Sequence, residues 1–196
     1  MYERVTSALG NRPERISHTE FRQRQLDFCA ELSTDSVAII TNNPVSIRSR
    51  DTHHRHRFNS YLHYLTGWHG ENGVAVFHYA VNEWKCLLYV RPRDIEKETW
   101  TGRRPGVEGA LSGWPIDAAN SREDINDVLP EILNSAVTIY HIQGLDDVVD
   151  TIVTDSGKEL GNPCKILDNM RVIKSDAEIA LMCASHFGES IHVKTA

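Results

Sequence analysis

Val74-Ala75-Val76-Phe77-His78-Tyr79-Ala80-Val81-Asn82-Glu83-Trp84-Lys85-Cys86-Leu87-Leu88-Tyr89-Val90 is the stretch on which the fold turns. Val74 to Tyr79 and Lys85 to Val90 are rich in β-branched and aromatic residues and read as strands. Val81-Asn82-Glu83-Trp84 separates them closely enough for a hairpin. Upstream, Val37 to Ile40 is a third apolar run of strand character, closed by Asn42-Asn43-Pro44. Downstream, Ala136 to His141 reads as a fourth strand.

Helical spacing fills the intervals. Ser17-His18-Thr19-Glu20 reads as a capping box, with Phe21, Phe28, Cys29 and Leu32 following on one face, so residues 17–33 are predicted to be a helix. Asp94 can cap a short helix through Trp100. Gly102, Pro105, Gly106, Gly109, Gly113 and Pro115 then predict a loop. Ser121-Arg122-Glu123-Asp124 opens a helix whose stripe is Ile125, Val128, Leu129, Ile132 and Leu133. Gly144-Leu145-Asp146 opens another, carrying Val148, Val149, Ile152 and Val153, and Gly161-Asn162-Pro163 stops it. Lys165-Ile166-Leu167 reads as a final short strand. Strands alternating with helices after a hairpin predict an α/β fold, a mixed β-sheet flanked by helices.

The last segment is of a different kind. Ser175-Asp176-Ala177-Glu178 is a second capping box and launches a helix toward Ala196. A helix of about 20 residues needs a surface for its apolar face. Either it packs back on this domain or it is the front piece of something larger. Residues 1–14 show no apolar period and read as a loose lead-in.

The chain has 196 residues and a formal charge of −6, with 40% hydrophobic and 24% charged residues. That composition is globular, and a chain this long buries roughly 70% of its unfolded surface. No apolar run reaches the roughly 20 residues of a membrane span. Met1 to Glu14 lacks the apolar core of a signal peptide, which points to a cytoplasmic protein. Net acidity gives no reason to expect nucleic-acid binding. Cys29, Cys86, Cys164 and Cys183 include no C-x-x-C pair and read as buried thiols of a reduced compartment.

Arg48-Ser49-Arg50-Asp51-Thr52-His53-His54-Arg55-His56-Arg57 holds four arginines and three histidines in ten residues. As a metal site, His54 and His56 would need a third ligand among repelling arginines. The other readings are an anion patch, a loop docking on an acidic partner, and a solvated surface. Asp51, the lone carboxylate, would be held ionised by guanidinium groups; it either balances charge or binds an ammonium group. Trp100-Thr101-Gly102-Arg103-Arg104-Pro105-Gly106 is too polar for a core segment. Its Trp either covers an apolar ligand ring such as proline or lies half-buried under the loop. The stretch 121–160 holds nine acids against two bases, an outer helical flank with no catalytic dyad. No nucleophile elbow, P-loop, H-E-x-x-H or dinucleotide fingerprint is present.

These landmarks resemble the N-terminal domain of Xaa-Pro aminopeptidase (aminopeptidase P), of the creatinase/prolidase superfamily. The resemblance rests on four motifs in order. They are Ile16 to Arg24; Arg48-Ser49-Arg50-Asp51 through Arg57-Phe58-Asn59-Ser60 to Tyr64-Leu65-Thr66-Gly67-Trp68; Asp94 through Trp100-Thr101-Gly102-Arg103-Arg104; and Arg171 to Ser175 with Glu178-Ile179. Two departures are His69-Gly70-Glu71-Asn72-Gly73, where the family usually has Glu-Pro, and the extra histidines at 53, 54 and 56.

The resemblance implies a domain over 15–170 and, over 171–196, the junction and first helix of a pita-bread catalytic domain. It implies a parent enzyme that releases the residue preceding proline with two metal ions, commonly manganese, held by two Asp, one His and two Glu in that second domain. This chain would then bind no metal and be inactive alone, serving homodimer or homotetramer assembly and shaping the active-site entrance. Asp51 matches a carboxylate that approaches the substrate from a neighbouring subunit, and Trp100 an aromatic of the substrate groove. Arg103 and Arg104 match residues that organise the loop and its contacts. The alternative is a stand-alone module using the cluster at 48–57 for a metal or an anionic partner.

Overall fold

The structure, a computed structural model, describes residues 15–193, with side chains as far as 185. The expected lead-in over 1–14 and the final residues 194–196 lie outside the described residues. Among those described, the strands are β1 (Ser36–Thr41), β2 (Ile47–Ser49), β3 (Thr52–His53), β4 (Val74–Ala80), β5 (Glu83–Val90), β6 (Ala118–Ser121), β7 (Thr138–His141) and β8 (Glu159–Gly161). Six of them form one mixed sheet in the order β6-β5-β4-β1-β7-β8. β4 pairs antiparallel with β5 and β1, while β1–β7, β5–β6 and β7–β8 are parallel.

The sheet has two buried faces because its strands alternate between two sets of helices. Val37 and Ile39 of β1 face one layer, and Ala38 and Ile40 the other. The first layer is α5 (Ile125–Asn134) and α6 (Asp147–Asp155), which press Ile125, Leu129, Leu133, Val149 and Val153 onto Val74, Val76 and Tyr89. The second layer includes α1 (His18–Ala30), α2 (Ser60–Thr66), α4 (Gly106–Gly113) and α7 (Cys164–Met170). Phe28, Leu62, Leu65, Ala110 and Leu167 meet Ala75, Phe77 and Leu88 there. An α/β fold with a mixed sheet flanked by helices is therefore what the chain forms.

Several local expectations change. The hairpin is tighter than predicted: Ala80 pairs with Glu83, so Val81 and Asn82 alone form the turn, both at positive φ. Residues 106–113, expected as loop, are α4, because Val107 and Ala110 can still pack against the core despite three glycines. Lys165-Ile166-Leu167 is helical, not a strand; Leu167 is buried from α7 instead. The helix opened at Asp146 ends at Asp155, and the edge strand β8 follows, with Gly161 its last residue and Asn162-Pro163 after it. Cys29 and Cys86 are buried, and burial pushes the Cys29 thiol up to about 12. Cys164 is half-buried and Cys183 exposed, so only two of the four fit the buried-thiol reading.

The two capping boxes behave differently. Ser17 Oγ accepts from the Glu20 amide at 3.1 Å, but the Glu20 carboxylate turns away to Arg24 and to Ser175 Oγ (2.7 Å). Ser175 and Glu178 form the complete reciprocal pair, at 3.0 and 3.2 Å, and start α8 (Asp176–Val193). Arg24, 7% exposed at its side chain, lies over the Tyr64 ring at 4.2 Å and pairs with Glu20 and with Glu178 (3.4 Å). This cluster ties the first turn of α8 to α1. Farther along, Ile179, Met182 and Cys183 are exposed, and the preceding Val172 and Ile173 are exposed too. Among the described residues, α8 turns Leu181 toward the domain, where it is half-buried and lines a pocket with Ile16 and Phe21, and leaves Ile179, Met182 and Cys183 outward.

Candidate functional site

One edge of the molecule gathers the basic and aromatic segments. Its foundation is Asn42, at the buried end of β1. The Asn42 side-chain oxygen accepts from the amides of Asn43 (2.9 Å) and Asn59 (2.6 Å), and its Nδ2 donates to the Gly70 carbonyl at 2.6 Å. Asn43 Nδ2 donates to the Arg57 carbonyl at 3.0 Å. Two amide side chains thus staple the loop 54–59 and the loop 69–73 to the sheet. Asn59 then caps α2 by accepting from Tyr61 and Leu62. Gly67 ends α2 in the left-handed region at φ 73°.

Above these loops, Trp68 and Trp114 pack edge to face at 4.8 Å, and Trp114 Nε1 donates to the Gly67 carbonyl at 3.2 Å. Gly73 passes so close that a Cβ there would overlap the Trp68 indole. Beside this pair opens a cleft of about 600 Å³, lined among others by Arg55, Arg91, Arg103 and Arg104 and by the carboxylate of Glu71. Arg91 bonds Glu71 at 2.7 Å. His63 also lines the cleft, and burial holds its imidazole below the ordinary value.

The next element is α3 (Ile95–Thr101), which has no buried residue. It is held from its ends instead of by packing. The Asp94 carboxylate caps it by accepting from the Lys97 amide at 3.1 Å. Arg93 grips Glu98 with two bonds, 2.9 and 3.1 Å, and this holds the Glu98 carboxyl below its usual range. Trp100 projects from α3 at 90% exposure, with Ile95 also exposed. The half-buried alternative for Trp100 is therefore set aside.

The sequence candidates are brought to this edge unequally. Arg103 and Arg104 line the cleft, and Arg104 Nη2 donates to Thr101 Oγ1 at 3.0 Å. Trp100 stands beside the cleft on the helix that ends at Thr101. Asp51 sits at the exposed turn of the small β2–β3 hairpin, next to Arg50 at φ 47°. It does not line the cleft. The expectation that guanidinium groups hold Asp51 is not met: among the described residues, no cation lies within 4.0 Å of its carboxylate. Asp51 and its neighbours Arg48 and Arg50 are all exposed, so water solvates each charge separately. Among the described residues, no group of three or more His, Cys, Asp or Glu could hold a metal ion, so His54 and His56 gain no third ligand. Asn42 was read only as a strand terminator; two adjacent amides after a buried strand are the signal that marks it.

Comparison with known proteins fits this arrangement. Residues 21–140 match the family described as aminopeptidase P, N-terminal domain. The chain is 32% identical over 171 residues to a Xaa-Pro aminopeptidase of Haemophilus influenzae, covering 86% of this chain and 40% of that protein. It is 31% identical over 182 residues to the Xaa-Pro aminopeptidase of Escherichia coli, covering 85% of this chain and 41% of that protein. Among solved structures, zinc-substituted Escherichia coli aminopeptidase P in complex with product superposes with a TM-score of 0.79 at 29% identity, covering 85% of this chain and 41% of that one. Proline aminopeptidase P II from Yersinia pestis gives 0.78 at 31% identity, covering 84% and 41%. The chain thus spans about two-fifths of the length of these relatives, which are hydrolases of the Xaa-Pro aminopeptidase type. On the family match and these identities together, the chain belongs to the aminopeptidase P N-terminal domain family.

Proposed function

We propose that this chain is the non-catalytic N-terminal part of a metal-dependent Xaa-Pro aminopeptidase, serving assembly of a homo-oligomer and shaping the entrance to its active site. In this reading, 15–170 form the N-terminal domain and 171–196 lead into the catalytic domain. Manganese and its two-Asp, one-His, two-Glu ligand set belong to that second domain. Among the described residues, no three His, Cys, Asp or Glu side chains come together here. The parent enzyme is cytoplasmic, which suits free buried thiols.

The observation that carries the reading is Trp100. An indole at 90% exposure on a helix with no buried residue is a poor solution for a lone domain and a good one for a surface that closes on something else. Trp100 covers the proline ring of the peptide. Asp51, a free carboxylate on an exposed turn, reaches the ammonium end of a substrate held by a neighbouring subunit. Arg104 holds the loop that follows Trp100 through Thr101.

Supplied with manganese, this chain alone is expected to hydrolyse no Xaa-Pro peptide, while a longer protein joining it to the ligand-bearing domain hydrolyses them. In that longer protein, Trp100→Ala should lower kcat/KM roughly tenfold, mainly through KM. Hydrolysis by this chain alone, no activity of the longer protein with any divalent metal, or an unchanged kcat/KM for Trp100→Ala would each overturn the proposal.

A further inference from the structure

The cleft beside Trp68 and Trp114 has an electrostatic imbalance that the assembly reading does not use. Four guanidinium groups from three separate segments converge on one concavity: Arg55, Arg91, Arg103 and Arg104. Glu71 is the single carboxylate among the lining residues, and it is committed to Arg91. Arg104 gives one donor to Thr101 and keeps the others. Arg55 and Arg103 have no ion-pair partner among the described residues.

Like charges brought together against apolar walls repel more strongly than they would in open water. Here the walls include Phe58, Trp68, Trp114 and Pro105, which exclude solvent from one side and concentrate the field in the opening. The cleft's volume, about 600 Å³, is that of a small-ligand site. A metal ion or an ammonium group would be expelled. A carboxylate or phosphate would present two oxygens to the forked guanidinium donors, and an apolar body attached to it would rest on the rings.

We propose that this cleft binds an oxyanion, either a peptide carboxylate or phosphate, through Arg55, Arg103 and Arg104. The site is complete within this chain and does not depend on the peptidase reading. The cluster at 48–57 contributes to it only Arg55 and His56; Arg48 and Arg50 lie on the hairpin outside it.

The test is a titration of the full chain at low salt, followed by amide chemical shifts. The probes are inorganic phosphate, N-acetyl-prolyl-phenylalanine and the C-terminal amide of that peptide. Saturable shifts at Phe58, Arg103 and Arg104 are expected with phosphate or the free acid and not with the amide. Arg103→Gln or Arg55→Gln should weaken binding roughly tenfold, the scale of one charge-assisted hydrogen bond. Arg48→Gln should leave it unchanged. Tighter binding of the free acid than of phosphate identifies the ligand as a peptide carboxylate, and the reverse order identifies it as phosphate; both support the site. Absence of binding by both anions, equal binding of the amide, or equal loss with Arg48→Gln overturns it. Because Arg55 and Arg103 are exposed, their variants keep the fold, which circular dichroism checks.

Discussion

Asn42 shows how much one amide can organise. Replacing it with Ala leaves the amides of Asn43 and Asn59 without their acceptor and the Gly70 carbonyl without its donor. Asn42→Ala is expected to cost about 1–3 kcal/mol, read from the denaturant midpoint. Gly73→Ala forces the buried Trp68 indole to shift and should cost about 1–3 kcal/mol by the same measurement. Asp117 gives a pH signature. Burial would raise its pKa, but the paired bonds from Arg22 (2.9 and 3.1 Å) and the Cys86 amide (2.7 Å) prevail and hold it below the ordinary 3.8. The unfolded chain therefore takes up this proton first as pH falls. Its stabilising contribution is full above pH 3.8 and is lost as pH drops through the lowered folded value. Asp117→Asn should make the acid limb of the stability curve shallower; an unchanged limb would assign no role to this carboxylate. In the sequence Asn42 read only as a strand terminator and Gly73 only as part of a departure from the family pattern, and Asp117 did not stand out. Asn42 and Asp117 act across distances of 17 and 31 residues, which local pattern cannot register.

Among the elements, the β4–β5 hairpin was legible and its turn was not. A two-residue turn with positive φ at both positions favours Asn-Gly, yet this chain has Val81-Asn82. A β-branched residue is strained there. The double variant Val81→Asn, Asn82→Gly should stabilise the fold by about 1 kcal/mol, measured as a raised thermal midpoint. Helix α3 was legible from Asp94, since a cap is local. That it carries no buried residue could be seen only once the core was assembled around it. Removing Arg93 with Ala frees Glu98, and hydrogen exchange across 95–101 should then accelerate while the core strands stay protected. Helix α4 was missed because glycines at 106, 109 and 113 mimic a loop, and β6 because Ala118-Ala119-Asn120-Ser121 has no β-branched residue.

Across the whole molecule, a mixed sheet flanked by helices was legible from strands alternating with helices after a hairpin, and from the family resemblance. Runs such as Val37 to Ile40, buried on both faces, demand helices on both sides. The placement of the cleft did not follow, because it depends on loops from residues 55, 91 and 103 meeting in space. The attachment of α8 is a further long-range product. Arg24→Met would leave Glu20 and Glu178 facing each other without their shared cation. It is expected to cost about 3 kcal/mol or more and to expose the first turn of α8 to hydrogen exchange. That single anchored turn has a mechanical meaning. An 18-residue helix rising about 1.5 Å per residue is a lever roughly 27 Å long. A tilt of about 10° at the Arg24 pivot sweeps its far end through about 5 Å. The direction of the helix is therefore set by a pivot of four side chains, Arg24, Glu20, Ser175 and Glu178, and a small adjustment among them becomes a large displacement at the tip.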